Sequence, residues 1–405
     1  MRKFFCFLGL FLFTFFSSAQ LLRAQAPVIV SNAAVVMDAA TGTIIYSKNP
    51  DMEIPPASLT KLMTMHLALR EIYAGRASFD EIIEPTQESW AVNQPPFSSL
   101  MRLAPGHRLS LRELLLGLAV FSGNDASAAV ALRFAPTVDA FVDVMNREAR
   151  AMGLTRTRFD DASGYSPESV TTAREFAEFS RLYLYTHPQS LIEFHSVREF
   201  AYPRADNLLD SSEEDLTEIP DEFHETRVQR NRNNLLGSVE GVDGLKTGSI
   251  PAAGFNISLT AERGATRFIA VILGAPSGWG GDRIRDEDGR RLLEWAFGNF
   301  KTIRPLVDVP QPVRVWKGKR NYANLSWGEP LEFTALIDRG EDLDWIIEID
   351  NPIIAPLPAF SPVGSLVFYD NFGELRHISL VTSNELERGS FFKRFFDSIR
   401  LFFKR

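Results

Sequence analysis

Three short motifs lie in one order along this 405-residue chain, and together they supply the parts of an activated serine nucleophile. Ser58-Leu59-Thr60-Lys61 comes first, Ser122-Gly123-Asn124 follows, and Lys246-Thr247-Gly248 comes last. A hydroxyl can attack a carbonyl carbon when a neighbouring amine removes its proton. Single motifs are common by chance, since a second Ser-x-x-Lys lies at 390–393 and a second Ser-x-Asn at 47–49. The prediction therefore depends on the ordered combination.

The first motif is predicted to begin a helix. Pro55 and Pro56 block further strand, and apolar residues recur at helical spacing over 59–67. Ser58 would lie in the first turn, where free backbone N–H groups and the helix dipole stabilise a developing oxyanion. Lys61, one turn later on the same face, is the candidate general base, and Lys246 is the candidate cation that lowers its pKa. Without the other motifs, Lys61 would be interpreted as a solvated helix lysine.

The second motif separates two apolar helical segments. Ser110 and Glu113 form a capping box before an apolar run over 111–121, and helical character resumes over 126–134. Ser122 and Asn124 thus occupy a tight turn in an apolar setting. We predict that Ser122 relays a proton and that Asn124 orients the substrate. A turn closed by local Asx-type hydrogen bonds is the alternative.

The third motif leads into a strand. Apolar alternation over 255–260 and 267–273 predicts neighbouring strands of an antiparallel sheet, and residues 33–46 predict a hairpin. At a sheet edge, Lys246 and Thr247 offer a cation and a hydroxyl to a carboxylate, and Gly248 leaves room for a substrate backbone. The alternative is that Lys-Thr-Gly only leads into a turn and has no functional role.

Composition excludes several classes of protein. The formal charge of -8 and the pI near 5.5 argue against nucleic acid as the main partner. Cys6 is the only cysteine and lies in the N-terminal apolar run, so a processed chain would have neither disulfides nor cysteine catalysis. The six histidines lack zinc-ligand spacing, and phosphate-binding and dinucleotide motifs are absent from the sequence. We therefore expect no metal and no cofactor.

Residues 1–26 have the pattern of a secretory signal. Arg2 and Lys3 precede an apolar run over 4–16 and small or polar residues over 17–20. This run is short for a membrane span, which needs about 20 residues, although a retained anchor is the alternative. Cleavage after Ala19 or Ala26 would leave the protein on the outer side of the cytoplasmic membrane.

The pattern changes beyond residue 300. Short apolar alternations over 305–388 predict a small β-sandwich domain without chemistry of its own. Residues 389–405 place phenylalanines on one helical face with Lys and Arg between them. This basic amphipathic helix suits a membrane interface, and a core-packing helix is the alternative. The acidic segment over 207–225 is predicted to be an exposed loop.

The motifs resemble those of low-molecular-mass penicillin-binding proteins, the serine D-alanyl-D-alanine carboxypeptidases of the S11 type. The resemblance covers nearly the whole chain. It extends to Pro56-Ala57, Asp125-Ala126, Asp161-Ala162-Ser163-Gly164, Thr171-Thr172-Ala173-Arg174 and Val242-Asp243-Gly244-Leu245. It implies an α+β transpeptidase fold of the penicillin-binding-protein and β-lactamase kind over residues 27–300. In that fold an antiparallel sheet is flanked by helices, and the site lies between the sheet and a helical subdomain.

The resemblance also implies removal of the terminal D-alanine from peptidoglycan pentapeptide stems in the periplasm, and acylation by β-lactams. Ser58 would attack the carbonyl, Lys61 would take its proton, and Ser122 would pass a proton to the departing D-alanine. The implied substrate-binding residues are Asn124, Lys246, Thr247, Gly248, Ser249 and Arg285. The backbone N–H groups of Ser58 and Ser249 would form the oxyanion hole.

One departure bears on substrate affinity and rate. Many relatives carry histidine or tyrosine and then threonine after Lys-Thr-Gly, whereas this chain has Ser249-Ile250-Pro251.

Three other functions share much of this pattern. A serine β-lactamase needs a glutamate that activates the deacylating water, and no Glu-x-x-x-Asn follows Gly164. A non-catalytic muropeptide-binding protein would lack a catalytic side chain, whereas Ser58, Lys61, Ser122 and Lys246 are all present. Endopeptidase action on cross-linked stems stays open, because the same residues permit it.

Overall fold

The computed structural model describes residues 25–208, 223 and 225–403. The predicted signal peptide, apart from its last two residues, and most of the acidic 207–225 segment lie outside the described residues. The chain divides into two compact units, with the boundary between Phe297 and Gly298.

The first unit combines one large sheet with helices. Its elements are β1 (Ala33–Asp38), β2 (Ile44–Lys48), α1 (Lys61–Tyr73), β3 (Ile82–Ile83), β4 (Leu109–Ser110), α2 (Leu111–Leu116), α3 (Asn124–Phe134), α4 (Val138–Ala151), α5 (Ala173–Thr186), β5 (Glu199–Tyr202), β6 (Arg227–Arg230), β7 (Val242–Ile250), β8 (Gly254–Arg263), β9 (Thr266–Ala275) and α6 (Gly281–Asn299). Five strands form an antiparallel sheet in the order β2-β1-β9-β8-β7. The Lys-Thr-Gly motif lies on β7, which is an edge strand.

The large sheet is buried on both faces. Val35 and Val271 belong to the core that also contains apolar residues of α1 and α5. On the other face, a Cβ at Gly289 of α6 would lie 2.7 Å from Leu259 Cδ1, so the helix packs closely there. Strands buried on both faces carry continuous apolar runs, and every residue of β1 is buried. Each large apolar side chain buried in this way contributes about 1.5–3 kcal/mol.

Local capping signals set the helix starts. The Ser110–Glu113 capping box begins α2, with the Ser110 N–H donating to Glu113 Oε2 at 2.8 Å. Thr172 caps α5 by accepting from the Glu175 N–H. The helix that starts with α2 continues as a π-helical turn over Gly117–Phe121 and ends at Ser122. Such π-turns often accompany functional sites, and here the turn leads directly into the second motif.

The second unit is built mainly from strands. Its elements are β10 (Phe300–Ile303), β11 (Val313–Trp316), β12 (Tyr322–Ala323), β13 (Leu325–Trp327), β14 (Phe333–Leu336), β15 (Asp344–Ile349), β16 (Ile353–Ile354), β17 (Pro362–Asp370), β18 (Gly373–Thr382) and α7 (Phe391–Phe402). The strands form a four-stranded sheet (β13-β18-β17-β15), a three-stranded sheet (β12-β11-β16) and the pair β10-β14. Two small apolar cores lie among them.

Helix α7 is tied to this unit through one buried carboxylate. The Lys317 N–H donates to Asp397 Oδ2 at 2.8 Å, and Lys393 Nζ lies 3.2 Å from the same oxygen. Ser390 caps the helix by accepting from the Lys393 N–H, so the second Ser-x-x-Lys is a helix start on the surface. The phenylalanines of α7 are exposed. Within the described residues, no helix is both long and apolar enough to cross a bilayer.

Candidate active site

Ser58 lies in a short 3-10 turn (Ala57–Thr60) directly before α1, as the sequence predicts for a helix start. Asn256 on β8 fixes the preceding prolines, because its Nδ2 donates to the Pro55 and Pro56 carbonyls at 2.9 and 3.1 Å. Gly248 on β7 approaches the same turn so closely that a Cβ there would lie 2.9 Å from the Ser58 nitrogen. These contacts fix the position of Ser58 between the edge strand β7 and helix α1.

Lys61 reaches three oxygen atoms. Its Nζ lies 3.0 Å from Ser58 Oγ, 2.8 Å from Asn124 Oδ1 and 2.7 Å from the Ser163 carbonyl oxygen. The Asn124 and Ser163 oxygens can only accept hydrogen bonds. A neutral amine has two N–H donors and one lone pair, so with both donors occupied the lone pair must face the Ser58 hydroxyl. This is the geometry of a general base acting on a nucleophile.

Lys61 is also placed to be neutral. Its pKa is lowered to about 7, chiefly by burial and also by the nearby Arg232 guanidinium, while Asp161 and Asp125 oppose the shift. Arg232, which was not predicted from the sequence, is thus one cation that acts on Lys61. Lys246, the cation predicted from the sequence, has its own pKa lowered well below its ordinary value by burial, by Lys61, by Arg232 and by Arg285.

The loop after α4 contains Ser163, whose carbonyl oxygen Lys61 contacts. Asp161 Oδ1 accepts from the N–H groups of Ser163 and Gly164, both at 2.6 Å, and its Oδ2 accepts from the Ser166 N–H at 2.7 Å. Gly164 has φ +78°, and a Cβ there would lie 1.8 Å from the Ala57 carbonyl oxygen. The Asp161-Ala162-Ser163-Gly164 segment therefore packs against the nucleophile turn and presents the Ser163 carbonyl to Lys61.

The second motif forms the tight turn that the sequence predicts. Ser122 has a left-handed backbone with φ 59°, and Asn124 is the first residue of α3. Asp125 accepts from the N–H groups of Met101 and Leu103 at 2.8 and 3.0 Å, which fixes the loop that follows Ser99. Lys61 hydrogen-bonds Ser58, Asn124 and Ser163 rather than Ser122.

Six of the nine predicted residues line one cleft of about 280 Å³, and they are Ser58, Ser122, Thr247, Gly248, Ser249 and Arg285. The other three, Lys61, Asn124 and Lys246, are buried side chains outside this lining. The lining contains five further residues that were not predicted from the sequence: Ser99, Arg232, Asn234, Phe255 and Asp282. They come from distant segments and carry no motif of their own.

Arg285 is held in place by a neighbouring carboxylate. Its Nε and Nη2 donate to Asp286 Oδ1 at 2.9 and 2.6 Å, and Asn234 Nδ2 donates to Asp286 Oδ2 at 2.9 Å. Both Arg285 and Asn234 line the cleft, so Asp286 fixes two polar groups of its wall at once. Arg232 and Asp282 also line the cleft, so its lining contains two guanidinium groups and one carboxylate. The guanidinium groups can bind an anionic group.

Comparison with known proteins gives one consistent result. The family model for D-alanyl-D-alanine carboxypeptidases matches residues 20–277, which is more than half of the chain. The D-alanyl-D-alanine carboxypeptidase DacC of Escherichia coli is 32% identical over 98% of this chain and 94% of its own length. DacD of the same organism is 35% identical over 92% of this chain and 91% of its own length.

Among solved structures, penicillin binding protein 5 from Haemophilus influenzae superposes with a TM-score of 0.75 at 26% identity, over 90% of this chain and 99% of that one. This similarity confirms the predicted penicillin-binding-protein fold. The chain belongs to the D-alanyl-D-alanine carboxypeptidase family, as its three motifs and their assembly around one cleft indicate.

Proposed function

We propose that this chain is a serine-type D-alanyl-D-alanine carboxypeptidase, which removes the terminal D-alanine from peptidoglycan pentapeptide stems through an acyl-enzyme. The observation that carries the proposal is the Lys61 amine, 3.0 Å from Ser58 Oγ and fixed by two carbonyl oxygens. Family membership supports the substrate class. The same nucleophile would be acylated by β-lactams, which present a reactive amide to it.

Acylation follows from the positions of the side chains. Ser58 Oγ attacks the carbonyl carbon between the two D-alanines while its proton passes to Lys61 Nζ. The backbone N–H groups of Ser58 and Ser249 stabilise the oxyanion. Ser122, which also lines the cleft, passes a proton to the departing amine nitrogen. The C–N bond breaks, D-alanine leaves, and water then hydrolyses the Ser58 ester.

The polar and cationic groups of the cleft favour a free C-terminal carboxylate. Thr247 offers a hydroxyl and Arg285 a fixed guanidinium on the cleft wall, and Lys246 lies next to Thr247 with its Nζ donating to the Thr247 carbonyl at 3.0 Å. A substrate carboxylate would raise the pKa of Lys246 and favour its protonated form. Binding of the anionic substrate would thus increase the positive charge that holds it.

The first test is intact-mass spectrometry with a labelled penicillin, followed by a time course on a pentapeptide ending in D-Ala-D-Ala. We expect one long-lived adduct on Ser58, together with release of free D-alanine from the peptide. Rapid loss of the adduct with hydrolysed penicillin and no D-alanine would point to a β-lactamase instead. A protein that forms no adduct and releases no D-alanine would fit a muropeptide-binding protein.

We also propose that the protein is exported by its N-terminal segment and held at the outer face of the cytoplasmic membrane by α7. The exposed phenylalanines of α7 would enter the acyl boundary while its Lys and Arg residues meet anionic headgroups. Asp397 supports this role, because its hydrogen bond to the Lys317 N–H fixes α7 to the second unit and leaves the apolar face outward.

Removing α7 is expected to release the protein from membranes. A chain that ends at Glu387 should move from the pelleted fraction to the supernatant in a vesicle sedimentation assay, while its rate on a soluble pentapeptide stays unchanged. A matched variant with Phe392→Ser, Phe396→Ser and Phe403→Ser keeps Asp397 and the basic residues, and it should behave in the same way. Continued sedimentation of both proteins with vesicles would refute the anchor.

A further inference from the structure

Two aromatic side chains stand out on the surface of the first unit. Among its described residues, the two most exposed large apolar side chains are Phe97, with a relative exposure of 106%, and Trp279, with 98%. Exposing an aromatic ring to this extent forgoes the free energy of its burial. Each ring belongs to a loop that is close in sequence to a residue of the cleft lining, Ser99 for Phe97 and Asp282 for Trp279.

The Phe97 loop joins the helical wall of the cleft. Phe97 follows two prolines and has a left-handed backbone with φ +63°. The next residue, Ser98, accepts from Asn124 Nδ2 at 3.1 Å, and Ser99 lines the cleft. On the other side of the loop, the Tyr165 hydroxyl donates to the Pro96 carbonyl at 3.4 Å.

The Trp279 loop joins the sheet wall. Trp279 lies between Gly278 and Gly280, which have φ +110° and +86°, and it begins the turn into α6. Gly281 lies so close to Phe255 that a Cβ would be 2.6 Å from its ring, and Phe255 lines the cleft. The Arg283 guanidinium lies 5.8 Å from the Trp279 ring centre. Phe97 and Trp279 therefore lie on two separate loops, each joined to residues that line the cleft.

The size of the cleft suggests what these rings meet. Sites that enclose a drug-sized ligand have volumes of roughly 300–1,000 Å³, and this cleft has about 280 Å³. It can hold the end of a stem peptide, whereas the rest of a peptidoglycan strand must lie across the rim. Sugar rings of that strand carry an apolar face of C–H groups, and such faces stack on aromatic rings.

We propose that Phe97 and Trp279 form a saccharide-binding rim, which stacks on sugar rings of the glycan strand and directs attached stem peptides into the cleft. The proposal rests on the proposed function, because it takes peptidoglycan as the substrate. The two rings act on the polymer alone and play no part in the chemistry at Ser58. They set a preference for stems on a glycan strand over free peptides.

The test compares the Phe97→Ala/Trp279→Ala double variant with the wild type on two substrates. On a soluble pentapeptide, we expect kcat/KM to change by less than about twofold. On uncross-linked glycan strands carrying pentapeptides, we expect kcat/KM to fall about tenfold or more, mainly through KM. Tyr185→Ala is the matched control, because Tyr185 is also 88% exposed but lies on α5, no residue of which lines the cleft.

A competition experiment identifies the sugar as the ligand. Glycan strands stripped of their stem peptides should inhibit wild-type hydrolysis of the polymer and should not inhibit the double variant. The conservative Phe97→Trp/Trp279→Phe variant should restore the wild-type preference. The proposal is overturned if both substrates lose activity equally, if neither does, or if stripped strands do not compete. A wild-type protein inactive on the pentapeptide would instead refute the proposed function.

Discussion

Replacing Ser58 with alanine is expected to abolish the acyl-enzyme. The attacking oxygen is removed, and no other described hydroxyl lies within hydrogen-bonding distance of Lys61 Nζ. We expect the rate of penicillin acylation and of D-alanine release to fall by about 10⁴-fold or more, the scale seen when the nucleophile of a serine hydrolase is removed. Stopped-flow acylation and intact-mass spectrometry measure this loss.

The chain provides its own control for this variant. Ser390 also precedes a lysine by three residues, but it only caps α7. Ser390→Ala should therefore acylate at the wild-type rate. Ser58→Ala should keep the wild-type melting temperature within a few degrees, since it removes a single oxygen. Acylation of a correctly folded Ser58→Ala protein at the wild-type rate would overturn the assignment of the nucleophile.

Replacing Lys61 with methionine is expected to slow acylation by about 10²- to 10⁴-fold, which is the usual contribution of a general base. Methionine retains most of the buried alkyl chain but removes the atom that takes the serine proton. Asn124 Oδ1 and the Ser163 carbonyl then lose a donor, so some loss of stability is also expected. Single-turnover acylation, with a melting curve on the same sample, separates the two effects.

The pH dependence tests the role of Lys61 directly. Burial lowers its pKa to about 7, and only the neutral amine can accept a proton. Wild-type acylation should therefore rise as the pH increases through about 7 and level off above it. The Lys61→Met variant should lack this rise, and Lys393→Met should retain it. A wild-type profile that stays flat from pH 5 to 9 would contradict a lysine base with this pKa.

Local signals made much of the fold predictable. The Ser110–Glu113 capping box and the Thr172 cap lie within four residues of the groups that they satisfy, so the sequence alone locates both helix starts. The turn after Pro55 and Pro56 and the turn at Ser122-Gly123-Asn124 are also set by residues adjacent in sequence. The continuous burial of β1 also follows from its unbroken apolar run.

Long-range contacts account for what the sequence did not reveal. The Ser163 carbonyl that holds Lys61 is 102 residues away along the chain, and Asn256 lies 200 residues from Pro56, whose carbonyl it bonds. Arg232 acts on Lys61 only because the fold brings a motif-free segment to the cleft. Neither periodicity nor spacing reports such a contact.

The backbone around the proposed nucleophile and proton relay is kept out of its preferred conformations. Ala57, next to the nucleophile, and Ser122 both have left-handed backbones, with φ 52° and 59°. For residues other than glycine, sparsely populated conformations of this kind cost roughly 1–3 kcal/mol each. A change that relaxed the backbone at either position would raise the stability of the fold but would move a group that takes part in catalysis. Selection of this enzyme for heat resistance alone would favour relaxed turns here, and the resulting protein would be more stable but catalytically poorer.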